Sequence, residues 1–182
     1  MTLAKRLLAV AICAAMSLCA GCGVVDKIKE TVGLSSLSSD TDEYKIKNQN
    51  KLCIKAAEDA FEAIKKHDTQ ALKAMFCQKT TNSGNLDEEI EKMYEFFDGE
   101  VESYDRISDP ETGESTIDGV VERLNGNPYI KAVKTSNGHE YDICVQVVLI
   151  YKDAEWEGIT QLGIHDKAND GYLRVGKAFE YE

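Results

Sequence analysis

Cys22 has the surroundings that most directly imply chemistry. It closes the stretch Leu18-Cys19-Ala20-Gly21-Cys22, in which small Ala20 and Gly21 leave the backbone open to a peptidase. Lys5 and Arg6 precede an uncharged apolar run from Leu7 to Ala20, so the parts of a secretory leader stand in order. That run is short for a lasting helix across a ~30 Å hydrocarbon core. The pattern predicts transfer of diacylglycerol to the Cys22 sulfur and cleavage just before it. Ordinary secretion with a plain thiol and a retained N-terminal membrane helix are the competing readings. Cys19 departs from the usual box, which commonly has Leu at that place. Two acyl chains of the palmitate kind bind stably at about 0.8 kcal/mol per buried methylene, whereas one chain binds only marginally. Residues 1–21 are accordingly read as a lipoprotein signal, 22–42 as a lipidated flexible tether and 43–182 as one domain. The tether carries the Ser-rich tract SSLSSD. The expected location is the extracytoplasmic face of the cell membrane.

The other nucleophiles and ligand types are less organised. Of six cysteines, Cys13 and Cys19 fall in the signal, leaving Cys53, Cys77 and Cys144 beside the lipidated one. An odd number at wide spacing, with no C-x-x-C pair, argues against zinc. An oxidising compartment permits one bridge, with Cys53–Cys77 the leading pair, and three buried thiols are the alternative. His67, His139 and His165 each precede an acid, but they lie far apart at turns and strands rather than at H-x-x-x-H spacing. No metal and no cofactor is expected. The sequence has no Walker loop, no G-x-G-x-x-G and no G-x-S-x-G elbow. The formal charge of −11 includes Lys5 and Arg6, so the chain without its leader is more acidic still. Such a chain is not built to neutralise phosphates, which excludes nucleic acid as a partner.

The elements that must position any site fall into two blocks. Cys53, Ala56, Ala57, Ala60, Phe61 and Ile64 form one apolar stripe, predicting a helix from Tyr44 to Lys66. Asp68 is placed to cap a second helix with Leu72, Met75 and Phe76 inward. Asn85 is placed to cap a third, in which Leu86, Ile90, Met93, Tyr94 and Phe97 share a face and Gly99 marks the stop. Beyond Gly99 the period becomes two. Strands are predicted at 101–107, 115–123, 129–135, 141–151, 158–165 and 172–180. Asn137-Gly138 reads as a tight hairpin turn, and Asn125-Gly126-Asn127-Pro128 as another. The run 141–151 reads as a central strand, with Tyr141, Ile143, Val145, Val147 and Leu149 on one side. Helices followed by an antiparallel sheet make an α+β domain, the helices packed on a curved sheet that would enclose a cone-shaped cavity.

That element order resembles the nuclear-transport-factor-2-like superfamily, also called SnoaL-like or cystatin-like. The phrase His67-Asp68-Thr69-Gln70-Ala71-Leu72-Lys73-Ala74-Met75-Phe76 is similar to the opening of that fold's second helix. Leu86-Asp87-Glu88-Glu89-Ile90, Phe96-Phe97-Asp98-Gly99-Glu100-Val101 and Trp156-Glu157-Gly158-Ile159 resemble a group of uncharacterised lipoproteins of Gram-positive bacteria with a domain of unknown function. A binding or enzymatic role, unlike a purely structural one, would need a cavity of roughly 300 Å³ or more between the first helix and the sheet. Candidate lining residues are Phe61, Tyr94, Tyr104, Tyr141, Tyr151 and Trp156. The expected function is non-catalytic binding of a small apolar ligand or an envelope protein. One alternative is a hydro-lyase or isomerase, since superfamily enzymes such as ketosteroid isomerase pair an acidic base with a tyrosine donor. Here Asp98 with Tyr94, Tyr104, Tyr141 or Tyr151 would serve. The other is a structural module forming a homodimer through the open sheet face.

Overall fold

The computed structural model describes residues 40–180, so the predicted signal, Cys22 and nearly all of the predicted tether lie outside the described residues. The helices come first: α1 (Asp42–Lys47), α2 (Gln49–Lys65), α3 (Thr69–Met75), α4 (Gln78–Thr81) and α5 (Leu86–Phe96). Eight strands follow: β1 (Val101–Ser103), β2 (Arg106–Ile107), β3 (Glu111–Ile117), β4 (Val120–Asn127), β5 (Tyr129–Thr135), β6 (Glu140–Tyr151), β7 (Gly158–Asp166) and β8 (Gly171–Gly176). This is an α+β fold with one curved antiparallel sheet. No helix among the described residues is long and apolar enough to cross a membrane.

The predicted long helix is two. Asn48 interrupts it and folds its Nδ2 back onto the carbonyl of Tyr44 at 2.9 Å, while Thr41 caps α1. Lys45 of α1 is buried and paired with Glu157 at 2.8 Å, which docks this first turn beside Trp156. The stripe on α2 is buried as expected, and Leu52 and Ala63 widen it. Asp68 does cap α3, accepting from the Ala71 N–H at 2.9 Å. Asn85 holds the cap position of α5 without making the cap bond. Its Oδ1 accepts instead from the Ser83 hydroxyl at 2.8 Å, its Nδ2 donates to Glu89 Oε1, and Glu89 Oε2 accepts from the Gly176 N–H at 2.7 Å. A local cap is thus replaced by a tie between α5 and β8. Helix α5 ends at Phe96, and Gly99 follows in the loop with φ +89°.

In the sheet the largest correction concerns 115–123. It is not one strand but the tip of a β3–β4 hairpin that turns at Asp118-Gly119, both with positive φ. Likewise Asn125-Gly126-Asn127 is strand rather than turn, and only Pro128 separates β4 from β5. These two strands run end to end along one edge of β6, β4 pairing with 147–151 and β5 with 140–144, while β7 covers the other edge. Pro128 is tolerated at the joint because a missing N–H costs no ladder bond there, and its carbonyl still accepts from Val145. Asn137-Gly138 forms the expected β5–β6 turn. Strand 6 is central, and Tyr141, Ile143, Val145, Val147 and Leu149 are all buried in the main core with α2, α3 and α5.

A shift of register between β4 and β6 at 148–150 matters for faces. Such a bulge exchanges inward and outward positions. Ile150 therefore joins the main core, whereas Val148 and Tyr151 belong to a second cluster with Cys77, Trp156 and Phe179.

Candidate functional site

The six aromatic residues expected to line one cavity fall into separate groups. Phe61 lies in the main core and meets exposed Tyr104 edge to face, with ring centroids 5.1 Å apart. Tyr94 stacks on His67 at 4.6 Å, against the α2–α3 turn. Tyr141 stacks on Phe97 at 4.6 Å inside the core. Tyr151 and Trp156 each pack against Phe179 in the second cluster. The β6 bulge is the cause of this last separation, since it puts Tyr141 and Tyr151 in different clusters. Only the Tyr151–Trp156 pair is brought together as a group.

Tyr141 and Asp98 do meet, but not as an acid–base pair. The Tyr141 hydroxyl donates to the Phe96 carbonyl at 3.2 Å and accepts from the Asp98 backbone N–H at 3.0 Å. Burial, offset in part by that N–H, raises the phenol above its ordinary value. The Asp98 carboxylate accepts from Asn137 Nδ2 at 2.7 Å and faces His139 Nε2 at 3.5 Å. His139 Nδ1 lies 3.2 Å from Asp166. Asp166 is buried, which alone would raise it. The Asn169 amide, the Ala168 N–H and His139 outweigh burial and hold it below the usual carboxylate range. These groups fasten the α5–β1 loop to the turns at the end of β5 and β7. No cluster of three or more His, Cys, Asp and Glu side chains among the described residues converges as metal ligands must.

Of the two readings of the cysteines, the structure has the free thiols and not the Cys53–Cys77 bridge: Cys53, Cys77 and Cys144 are all unbridged. Cys53 and Cys77 belong to different apolar clusters. Cys53 lies against β4, where a Cβ on Gly126 would come within 2.8 Å of its sulfur. Burial pushes its thiol up to about 12. Cys77 sits at the start of α4, its sulfur 3.4 Å from Thr80 Oγ1.

The chemically varied surface is the face of the sheet turned away from the helices, whose individual residues were not among the candidates named from the sequence. Cross-strand partners share a face, so Tyr129, Cys144, Gly163 and Arg174 form one row, and Asp142, His165 and Tyr172 the next. Gly163 has no side chain because Tyr172 lies over it; a Cβ would fall 2.1 Å from the Tyr172 hydroxyl oxygen. Arg174 stands over the Tyr172 ring and Lys131 over the Tyr129 ring. Cys144 beside it, and then its own burial, push the Tyr129 phenol up to about 12. Asp142 bonds Lys131 and Lys167 and accepts from the Ala132 N–H at 2.9 Å. Burial opposes ionisation of Asp142, but the Ala132 N–H and the two lysines hold it below the ordinary carboxylate value. The alternation of Asp142, Cys144 and Gln146 in β6 was the signal for this face.

A helical layer on one side of a curved antiparallel sheet, with polar and aromatic groups exposed on the other, defines an α+β domain whose accessible chemistry lies on its exterior. The chain belongs to the family described as Domain of unknown function (DUF5104), whose model matches residues 59–168, from mid-α2 to the turn after β7. No curated protein matches it.

Proposed function

We propose that this protein is a membrane-tethered, extracytoplasmic lipoprotein whose cone-like, nuclear-transport-factor-2-like domain binds an envelope protein partner without catalysis. The observation that carries the reading is the use made of Tyr141. Both hydrogen-bonding directions of its hydroxyl are taken by backbone groups of Phe96 and Asp98, and the ring is sealed between Phe97 and the core. A catalytic donor must be free to bond a developing oxyanion, and this one is occupied in holding the α5–β1 loop. Further support comes from the distribution of chemistry. Phe61, Ile64, Val145 and Val147 belong to one contiguous apolar cluster between α2 and β6. The polar and aromatic side chains lie instead on the far face of the sheet, where Tyr172 and Arg174 are exposed and Tyr129, Asp142, Cys144 and His165 are half-buried. Anchoring at Cys22 is the reading that the leader and the short motif support best.

Native mass spectrometry of the full chain, extracted from membranes in mild detergent, tests the proposal. A complex with a second polypeptide supports it. A small molecule retained at one per chain would overturn it in favour of the ligand cone, and a stoichiometric homodimer would overturn it in favour of the structural module.

A further inference from the structure

The sheet has three edges, and two of them are protected. Strand β8 is covered by α5: Glu89 accepts from the Gly176 N–H, and Phe96 packs on Gly171. The edge beyond β5 is made of β1 and β2, too short and irregular to template a further strand. Strand β3 is different. It runs from Glu111 to Ile117, among the described residues pairs only with β4, and has no buried residue. At its tip Ile117 and Val120 are paired and exposed at 52% and 65%. An exposed edge of this length carries unpaired backbone donors and acceptors that another extended chain can satisfy.

Charge selects the occupant. Glu111 and Glu114 lie on β3 and Asp118 in its turn. The Glu114 carboxylate accepts from Thr116 Oγ1 at 3.1 Å, and Arg123 of β4 reaches the Glu114 carbonyl at 3.5 Å, so acids outnumber cations along this edge. A second copy would bring the same acids against them in a chain whose formal charge is −11, and like charges across strands are destabilising. An extended basic segment is complementary both to the backbone edge and to its acids. Side chains alternate along β3, so lysines or arginines of the partner that face Glu114 leave its alternate apolar residues on the other face, against Ile117.

We propose that β3 is a docking edge that accepts a basic, extended segment of a protein partner by antiparallel or parallel strand addition. This rests on the partner-binding reading above and names the mode and chemistry of that binding.

The test uses the full chain and a synthetic peptide of alternating valine and lysine, with amide hydrogen exchange read residue by residue. The expected result is new protection confined to Glu111–Ile117, weakened by salt. Methylating alternate backbone nitrogens of the peptide should abolish it. Glu111→Lys together with Glu114→Lys should weaken binding tenfold or more, and should let the glutamate analogue of the peptide bind instead. Absence of binding at millimolar peptide, equal binding of the methylated peptide, or protection on the far sheet face would each overturn the proposal. So would protection, without peptide, of the β3 amides that point away from β4: rising with protein concentration it would mean a second copy, and independent of concentration, the chain's own N-terminal segment. The partner-binding reading fails separately, by retention of a small molecule or a stoichiometric homodimer in the mass measurement.

Discussion

The hydroxyl of Tyr141 accepts the backbone N–H of Asp98 at 3.0 Å, so the tyrosine and aspartate are joined through main chain rather than carboxylate. Together with the bond to the Phe96 carbonyl, this closes the C-terminal end of α5, where carbonyls lack helical partners. Tyr141→Phe should therefore cost about 1–2 kcal/mol of stability. It should leave binding of an envelope partner unchanged. Urea unfolding followed by circular dichroism checks the first, and co-purification from membranes the second. An unchanged unfolding midpoint would remove the structural role assigned here.

The Asp142 carboxylate supports the β5 bulge, where Ala132 has φ +52° and donates its N–H to Asp142 Oδ1. A left-handed alanine is strained by roughly 1 kcal/mol, a cost that glycine avoids. Ala132→Gly should raise the thermal midpoint slightly. Asp142→Ala should lower it by the equivalent of about 1–3 kcal/mol, because the Ala132 N–H is left unpaired. Differential scanning calorimetry of both variants decides the matter, and a fall in both would contradict the strain.

Acid should destabilise the fold through Asp142 and Asp166, whose carboxylates are both held below the ordinary range. A depressed folded value means that the contribution is fully present above the unfolded value of about 3.9. It is lost as pH falls through the lower folded values. Unfolding free energy measured from pH 7 down to 2.5 should be level at first and then drop. Asp142→Asn should flatten part of the drop. An equally steep profile in that variant would assign the loss to other acids.

Gly126 and Cys53 are so close that no side chain fits between α2 and β4. Gly126→Ala should destabilise by about 1–3 kcal/mol through overpacking, and the double change with Cys53→Ala should recover part of it. Cys53 itself should resist a thiol reagent at pH 8 until the protein is unfolded, since its thiol is raised to about 12. Fast labelling of native protein at Cys53, located by peptide mass, would contradict this packing.

On the lipoprotein proposal, membrane attachment depends on Cys22. Cys22→Ala should move the protein from the membrane pellet to the soluble fraction, because the proposed diacylglycerol is lost with its sulfur. Persistence in the pellet after a carbonate wash would defeat the lipoprotein reading.

Local rules in the sequence determined much of this protein. Three helices at 3.6 spacing, the Asp68 cap, the Asn137-Gly138 turn and the buried central run from Tyr141 are decided by neighbours a few residues apart. Their preferences and burial patterns point the same way, so the α+β class was legible. Tertiary structure decided what depends on partners far along the chain. Gly126 serves as strand because Cys53 and β6 claim it, overriding its turn chemistry. Asn85 makes no cap bond because its Oδ1 accepts from the Ser83 hydroxyl while its Nδ2 is held by Glu89, which reaches on to Gly176. The bulge in β6 moved Tyr151 into another cluster from Tyr141, which no alternation pattern can reveal, since one inserted residue reverses every face beyond it. Which edge of the sheet stays open was equally beyond the sequence, because it depends on where α5 comes to rest.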